Sequence, residues 1–115
     1  MFVADLHNDV LQRAMIGEDI SKKTDKGHSD LVRLSDSCID LEVFVIWINN
    51  KHIQEGAFKR ANKLYDKLEA LEKENNFIKI AKSASDINKA KNNNILSTPI
   101  AIEGGEPIED KIENL

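Results

Sequence analysis

The chain has 115 residues, 41% of them hydrophobic and 31% charged, with a net charge of −4. That length suits one small domain and falls short of the roughly 250 residues that a closed eight-stranded α/β barrel needs. The acidic balance, with lysines interleaved among carboxylates as in Lys67-Leu68-Glu69, excludes the clustered basic face of a nucleic-acid binder.

Cys38 is the single cysteine, so no intrachain disulfide forms. Between Ser37 and the apolar run from Ile39, it reads as a buried or half-buried structural thiol. The opening Met1-Phe2-Val3-Ala4-Asp5-Leu6-His7 has no basic n-region and no long apolar run. No stretch approaches the ~20 apolar residues of a membrane helix. These features set the expectation of a cytoplasmic protein with no membrane segment.

In chain order, Phe2–Leu6 reads as a short strand. Asp9–Ile16 reads as a short helix stopped by Gly17. Glu18–Gly27 is polar and has no core-facing stripe, so a loop is expected. Ser29–Leu34 suits a turn or two of helix. Ile39–Ile48 is the clearest strand, and its near-continuous apolar order predicts cover on both faces, as in parallel α/β sheets. Glu55–Asn75 is the clearest helix, because Phe58, Ala61, Leu64, Tyr65, Leu68 and Leu71 form one apolar stripe. Phe77–Ala81 predicts a short strand, and Ser85 is the expected cap of a helix over Asp86–Lys91. Pro99–Glu103 predicts a further strand, Gly104-Gly105 a turn, and Ile108–Leu115 a helix with Pro107 near its start. The alternation predicts an α/β class with parallel strands and right-handed crossovers. The last helix has no closing cap, so the chain is expected to end in mid-fold.

Two clusters carry candidate chemistry. Asp5-Leu6-His7-Asn8-Asp9 lies at the exit of the first strand. Side chains two apart on an extended strand point the same way, so Asp5, His7 and Asp9 are expected to share a direction. An imidazole and a carboxylate there suit zinc. Asp5, one step deeper, is placed to accept a hydrogen bond from the His7 ring N–H and fix its tautomer. The five residues alone fit equally a polar strand end with Asp9 as a helix cap. The second cluster is Pro99-Ile100-Ala101-Ile102-Glu103-Gly104-Gly105. It delivers one carboxylate at a strand end, where a metal would neutralise it. Taken alone, it fits equally an exposed Glu beside an ordinary turn. Both clusters lie at C-terminal strand ends of one parallel sheet, where α/β barrels place catalytic groups. His7, Asp9 and Glu103 are therefore expected to meet on one rim.

His7-Asn8-Asp9, then Asp30-Leu31-Val32-Arg33-Leu34 before a strand with Phe44 and Trp47, then Ala101-Ile102-Glu103-Gly104-Gly105, resembles the N-terminal part of the membrane (renal) dipeptidase family. The resemblance runs from Val3 to about Ile112, with two departures: Ser37-Cys38 stands where the family often has a glycine pair, and Glu106 where it often has His. It implies the first β/α units of a TIM (β/α)8 barrel, with residues 1–115 as the N-terminal part of a single metal-dependent hydrolase domain truncated at its C-terminus. It implies zinc-dependent hydrolysis of dipeptides at a two-zinc centre. His7 and Asp9 match ligands of one zinc, and Glu103 matches the catalytic carboxylate that bridges both. The family's remaining ligands and substrate-binding residues come from later strands, so this chain completes at most one zinc. His28 and His52 are expected in surface or loop roles rather than as replacements.

Three functional readings follow: a metallo-dipeptidase piece, inactive alone; another barrel-type metal-dependent amidohydrolase; and a non-catalytic fragment whose open barrel edge associates with itself or another chain. The expected partner of the first is a dipeptide substrate.

Overall fold

The computed structural model describes residues 1–115. Nine helices and strands follow along it, alternating except where α2 follows α1 and β5 follows β4: β1 (Ala4–Asn8), α1 (Val10–Met15), α2 (Leu31–Ser35), β2 (Leu41–Trp47), α3 (Ala57–Glu74), β3 (Ile78–Lys79), α4 (Ala84–Asn92), β4 (Leu96–Ser97) and β5 (Ile100–Glu103). All strands are parallel and belong to one open sheet. The α/β class and the parallel arrangement are as the sequence predicts.

β2 is the hub of the sheet. It pairs with β1 on one side and with β4 and β5 on the other. β4 and β5 are successive pieces of one extended stretch, broken at Thr98-Pro99, where proline offers no N–H to a neighbour. β3 pairs only with β4, away from β2. The rim that matters is therefore built by β1, β2 and β5.

One face of the sheet carries the helices. Alternate β2 residues Phe44 and Ile46 join Val10, Leu11 and Ala14 of α1, Leu31 and Leu34 of α2, and Ala57, Ala61, Leu64, Leu68 and Leu71 of α3 in a single apolar core. Phe44, Leu11, Leu31, Leu64 and Leu68 are fully buried. Each such side chain contributes about 1.5–3 kcal/mol by leaving water. The α3 stripe matches its sequence pattern except at Phe58, which stays exposed, and Tyr65, which is half-buried.

Several local expectations are corrected. Ser83, not Ser85, caps α4: its hydroxyl accepts the Asp86 N–H at 3.2 Å, and the Asp86 carboxylate takes the Lys82 N–H at 3.1 Å. The serine three residues ahead of a carboxylate closes a reciprocal cap, which Ser85 cannot do. Ile108–Leu115 is not a helix. Two 3-10 turns, Glu106–Ile108 and Ile112–Asn114, are separated by Glu109 and Asp110 at φ +50° and +57°. Left-handed residues break the helical path, and Ile112 and Leu115 remain exposed, so no apolar stripe is buried to favour one. Cys38 is exposed rather than buried. No helix is long and apolar enough to cross a membrane.

Candidate metal centre

β1 does not keep a regular alternation. Asp5 sits opposite Glu42 and Asn8 opposite Phe44, so three steps along β1 match two along β2. This bulge re-aims the residues that follow it. Asp5 and His7 therefore do not act as the even-spaced pair that the sequence predicts. The Asp5 carboxylate accepts the backbone N–H of His7 at 3.1 Å and makes no hydrogen bond to its ring. Asp5 thus fixes the main chain at the bulge, which corrects its expected tautomer-setting role.

Asn8 takes the capping work. Its side-chain oxygen accepts the Val10 N–H at 2.9 Å and the Ser29 hydroxyl at 3.3 Å. Asp9 occupies the N-cap position of α1 but makes no capping hydrogen bond. Its carboxylate turns instead to the imidazole, 3.4 Å from His7 Nε2. The reading of Asp9 as a mere helix cap is thereby set aside.

Glu103 arrives from β5, whose last residue lies opposite Trp47 of β2. Its carboxylate is also 3.4 Å from His7 Nε2. Gly104 follows at φ +87°, and a Cβ there would collide with the Glu106 carboxylate. The sharp turn directly after Glu103 therefore depends on glycine. Donor atoms of His7, Asp9 and Glu103 all lie within 4.8 Å of one another, and all three residues are exposed on one rim. Two carboxylates facing one imidazole form a cation-attracting donor set of the kind that divalent metals take. His28 is exposed elsewhere, and His52 pairs with Glu55 at 3.3 Å, so neither joins the cluster.

Residues around the centre that the sequence reading missed hold its supports. Gln12 Nε2 donates to the Trp47 carbonyl at 2.6 Å, tying α1 to the end of β2. The loop expected to be featureless is clasped by Arg13, which reaches Glu18 at 2.6 Å, the Lys26 carbonyl at 2.6 Å and the Ser29 carbonyl at 2.5 Å. Asp30 is fully buried; it caps α2 through the Arg33 N–H at 2.8 Å and pairs with the Arg33 guanidinium at 2.7 Å. Burial pushes its carboxyl up, but the N–H groups of Arg33 and Thr24 and the guanidinium outweigh this and hold it at about 2. The Asp30-x-x-Arg33 spacing was the available signal.

Residues 1–115, the whole chain, match the family model described as membrane dipeptidase, peptidase family M19. The chain belongs to this family. Two solved structures share the fold of this dipeptidase-family chain. One is dipeptidase AC, a metallopeptidase of the same family, with a TM-score of 0.81 and 21% identity over 93% of this chain. The other is a metallopeptidase from Rhodobacter sphaeroides, liganded with a phosphinate mimic of the dipeptide L-Ala-D-Ala, with a TM-score of 0.81 and 19% identity over 93% of this chain. The chain spans 36% and 39% of those two proteins. No curated protein matches it.

Proposed function

We propose that this chain supplies His7, Asp9 and Glu103 to the zinc centre of a dipeptidase, with Glu103 as the carboxylate shared between two ions. The observation that carries this reading is the donor spacing. His7 Nε2 stands 3.4 Å from an oxygen of each carboxylate. Ligands around a tetrahedral zinc, at bonds of about 2.0–2.2 Å, are separated by about 3.3–3.6 Å. The three donor atoms together lie within 4.8 Å of one another, close enough to converge on a single ion.

Zinc held there would supply a Lewis acid that polarises a peptide carbonyl and acidifies water near neutral pH. The chain's own residues do the rest of what it contributes. His7 offers a ring nitrogen, and Asp9 and Glu103 offset the ionic charge. Asp5 and Asn8 hold the bulge that presents His7 and Asp9. These three donors would hold one ion and would not by themselves complete the site of a second. A dipeptide substrate is carried over from family membership and from the ligand of the Rhodobacter sphaeroides neighbour. The 115-residue chain by itself is therefore proposed to hydrolyse dipeptides little or not at all.

The test is zinc binding to the 115-residue chain, followed by equilibrium dialysis and by fluorescence of Trp47, the sole tryptophan, which faces Glu103 across the β2–β5 ladder. The expected result is one ion per chain, lost in His7→Ala and in Glu103→Gln. Absence of binding, or binding untouched by both substitutions, overturns the reading.

A further inference from the structure

Glu42 is unlike every other carboxylate in the chain. It is fully buried as the second residue of β2, and no hydrogen bond of ordinary geometry reaches either oxygen, the Asn8 side chain being the one polar group that opposes its burial. It stands opposite Asp5 across the β1–β2 ladder. On its other side, the constant register from Leu41↔Ser97 to Phe44↔Ile100 sets it beside Thr98, whose hydroxyl is buried and also without a partner. No cation comes near. α1 and α3 turn Val10, Leu11, Ala14, Leu64 and Leu68 inward, and the one charged residue within α1, Arg13, is engaged by Glu18 and the loop carbonyls. The only charged group acting on Glu42 is the like-charged Asp5. Burial pushes the Glu42 carboxyl up to about 7, with the Asn8 side chain opposing and Asp5 adding to the rise.

The location gives this consequence. β1 and β5 do not pair with each other; at the level of the metal centre each is hydrogen-bonded to β2 alone. The distance from His7 and Asp9 to Glu103 therefore depends on the β1–β2 seam, and Glu42 sits in that seam. A buried carboxylate without a cation to pair it is costly, and a second carboxylate beside it adds repulsion. β1 is an edge strand with exposed residues, so it is the side free to yield.

We propose that Glu42 is a positioning residue for the metal centre: uncharged, it leaves the β1–β2 seam closed, and on losing its proton it loosens β1 and carries His7 and Asp9 away from Glu103. The metal half of this proposal rests on the zinc-site reading above; the seam half does not.

The experiment follows the 115-residue chain by NMR from about pH 5 to about pH 9, spanning the window in which folded Glu42 would titrate. With carboxyl-labelled glutamate, one carboxyl is expected to titrate near neutrality and to vanish in Glu42→Gln. Above that midpoint, the β1 amides of Leu6 and His7 are expected to lose protection relative to α3 amides in the same sample, by about tenfold one pH unit above it. Glu42→Gln is expected to keep that ratio constant. If the substitution prevents folding, the wild-type carboxyl titration and the β1-to-α3 ratio still decide. Titration of every glutamate in the ordinary acidic range overturns the proposal, and so does a β1-to-α3 ratio that does not change with pH. In a parallel zinc titration, the wild type is expected to weaken several-fold above neutrality while Glu42→Gln does not. Parallel zinc profiles overturn the link to the metal centre. Failure of zinc to bind either protein at any pH strikes the zinc-site reading, and the amide measurement then decides the seam on its own.

Discussion

Single side chains divide sharply into those that form the centre and those that hold its walls. His7 and Glu103 lie at the rim, more than half exposed, and make no bond that the fold requires. Their substitution by Ala and Gln should therefore lower zinc affinity by at least tenfold while shifting thermal unfolding by less than ~0.5 kcal/mol, as for ordinary surface changes. Titration calorimetry beside a melting curve checks both halves. Asp30 is the opposite case. It is buried, caps α2 and pairs with Arg33. Asp30→Ala removes a cap and the carboxylate partner of Arg33, whose guanidinium is about a third exposed and keeps acceptors on Thr24 and Gly27, so the cost should be about 1–3 kcal/mol. Because the folded carboxyl is held at about 2, its stabilisation is complete above the ordinary aspartate value. It is lost as pH falls from there through about 2. Acid unfolding followed by circular dichroism should begin in that window, and Asp30→Asn should flatten it. The meeting of His7, Asp9 and Glu103 on one rim was legible in the sequence because all three follow strands of one parallel sheet. The role of Asp5 was not, because period-two reasoning assumes an unbroken strand and the bulge between Asp5 and Asn8 breaks it.

Elements show the same split between pattern and local detail. β2 and α3 were plain in the sequence, since long apolar runs and stripes average over many residues. The C-terminal segment was not. A proline after two glycines suggested a helix start, while the left-handed Glu109 and Asp110 decide otherwise. That irregular segment has a use. Gly56 at the N-terminus of α3 has no side chain to cap with, and Glu109 Oε1 accepts the Phe58 N–H at 3.0 Å in its place. Glu109→Ala should cost about 0.5–2 kcal/mol in urea unfolding. Loss of protection at the Phe58 amide would mark the cap as the cause. Substitution of Gly104 by Ala attacks a different element. Glu106 can swing its carboxylate aside, but the positive φ of +87° strains any L side chain, so the turn after Glu103 should shift and zinc affinity is expected to fall along with stability.

At the scale of the whole molecule, the sheet remains open. β1 and β5 each have one unpaired edge, and Leu6 and Ile102 are 71% and 57% exposed. Parallel edges bearing apolar side chains invite pairing with another sheet. Sedimentation should show concentration-dependent association, and Ile102→Lys should shift the chain toward monomer. A wild-type chain that stays monomeric at high concentration would count against an adhesive edge. The open outline was legible from length alone, because 115 residues do not close a barrel. The placement of β3 beyond β4, away from the rim, was not, since strand order depends on tertiary packing that no local pattern records.

The hub position of β2 has a mechanical corollary. Backbones of strands two apart in a sheet lie about 9.5 Å from one another, yet His7 and Glu103 approach to 3.4 Å. The two side chains span that gap like the haunches of an arch standing over β2. An ion seated between them would be its keystone, bracing strands that no hydrogen bond joins and stiffening the curvature from which a barrel wall is made.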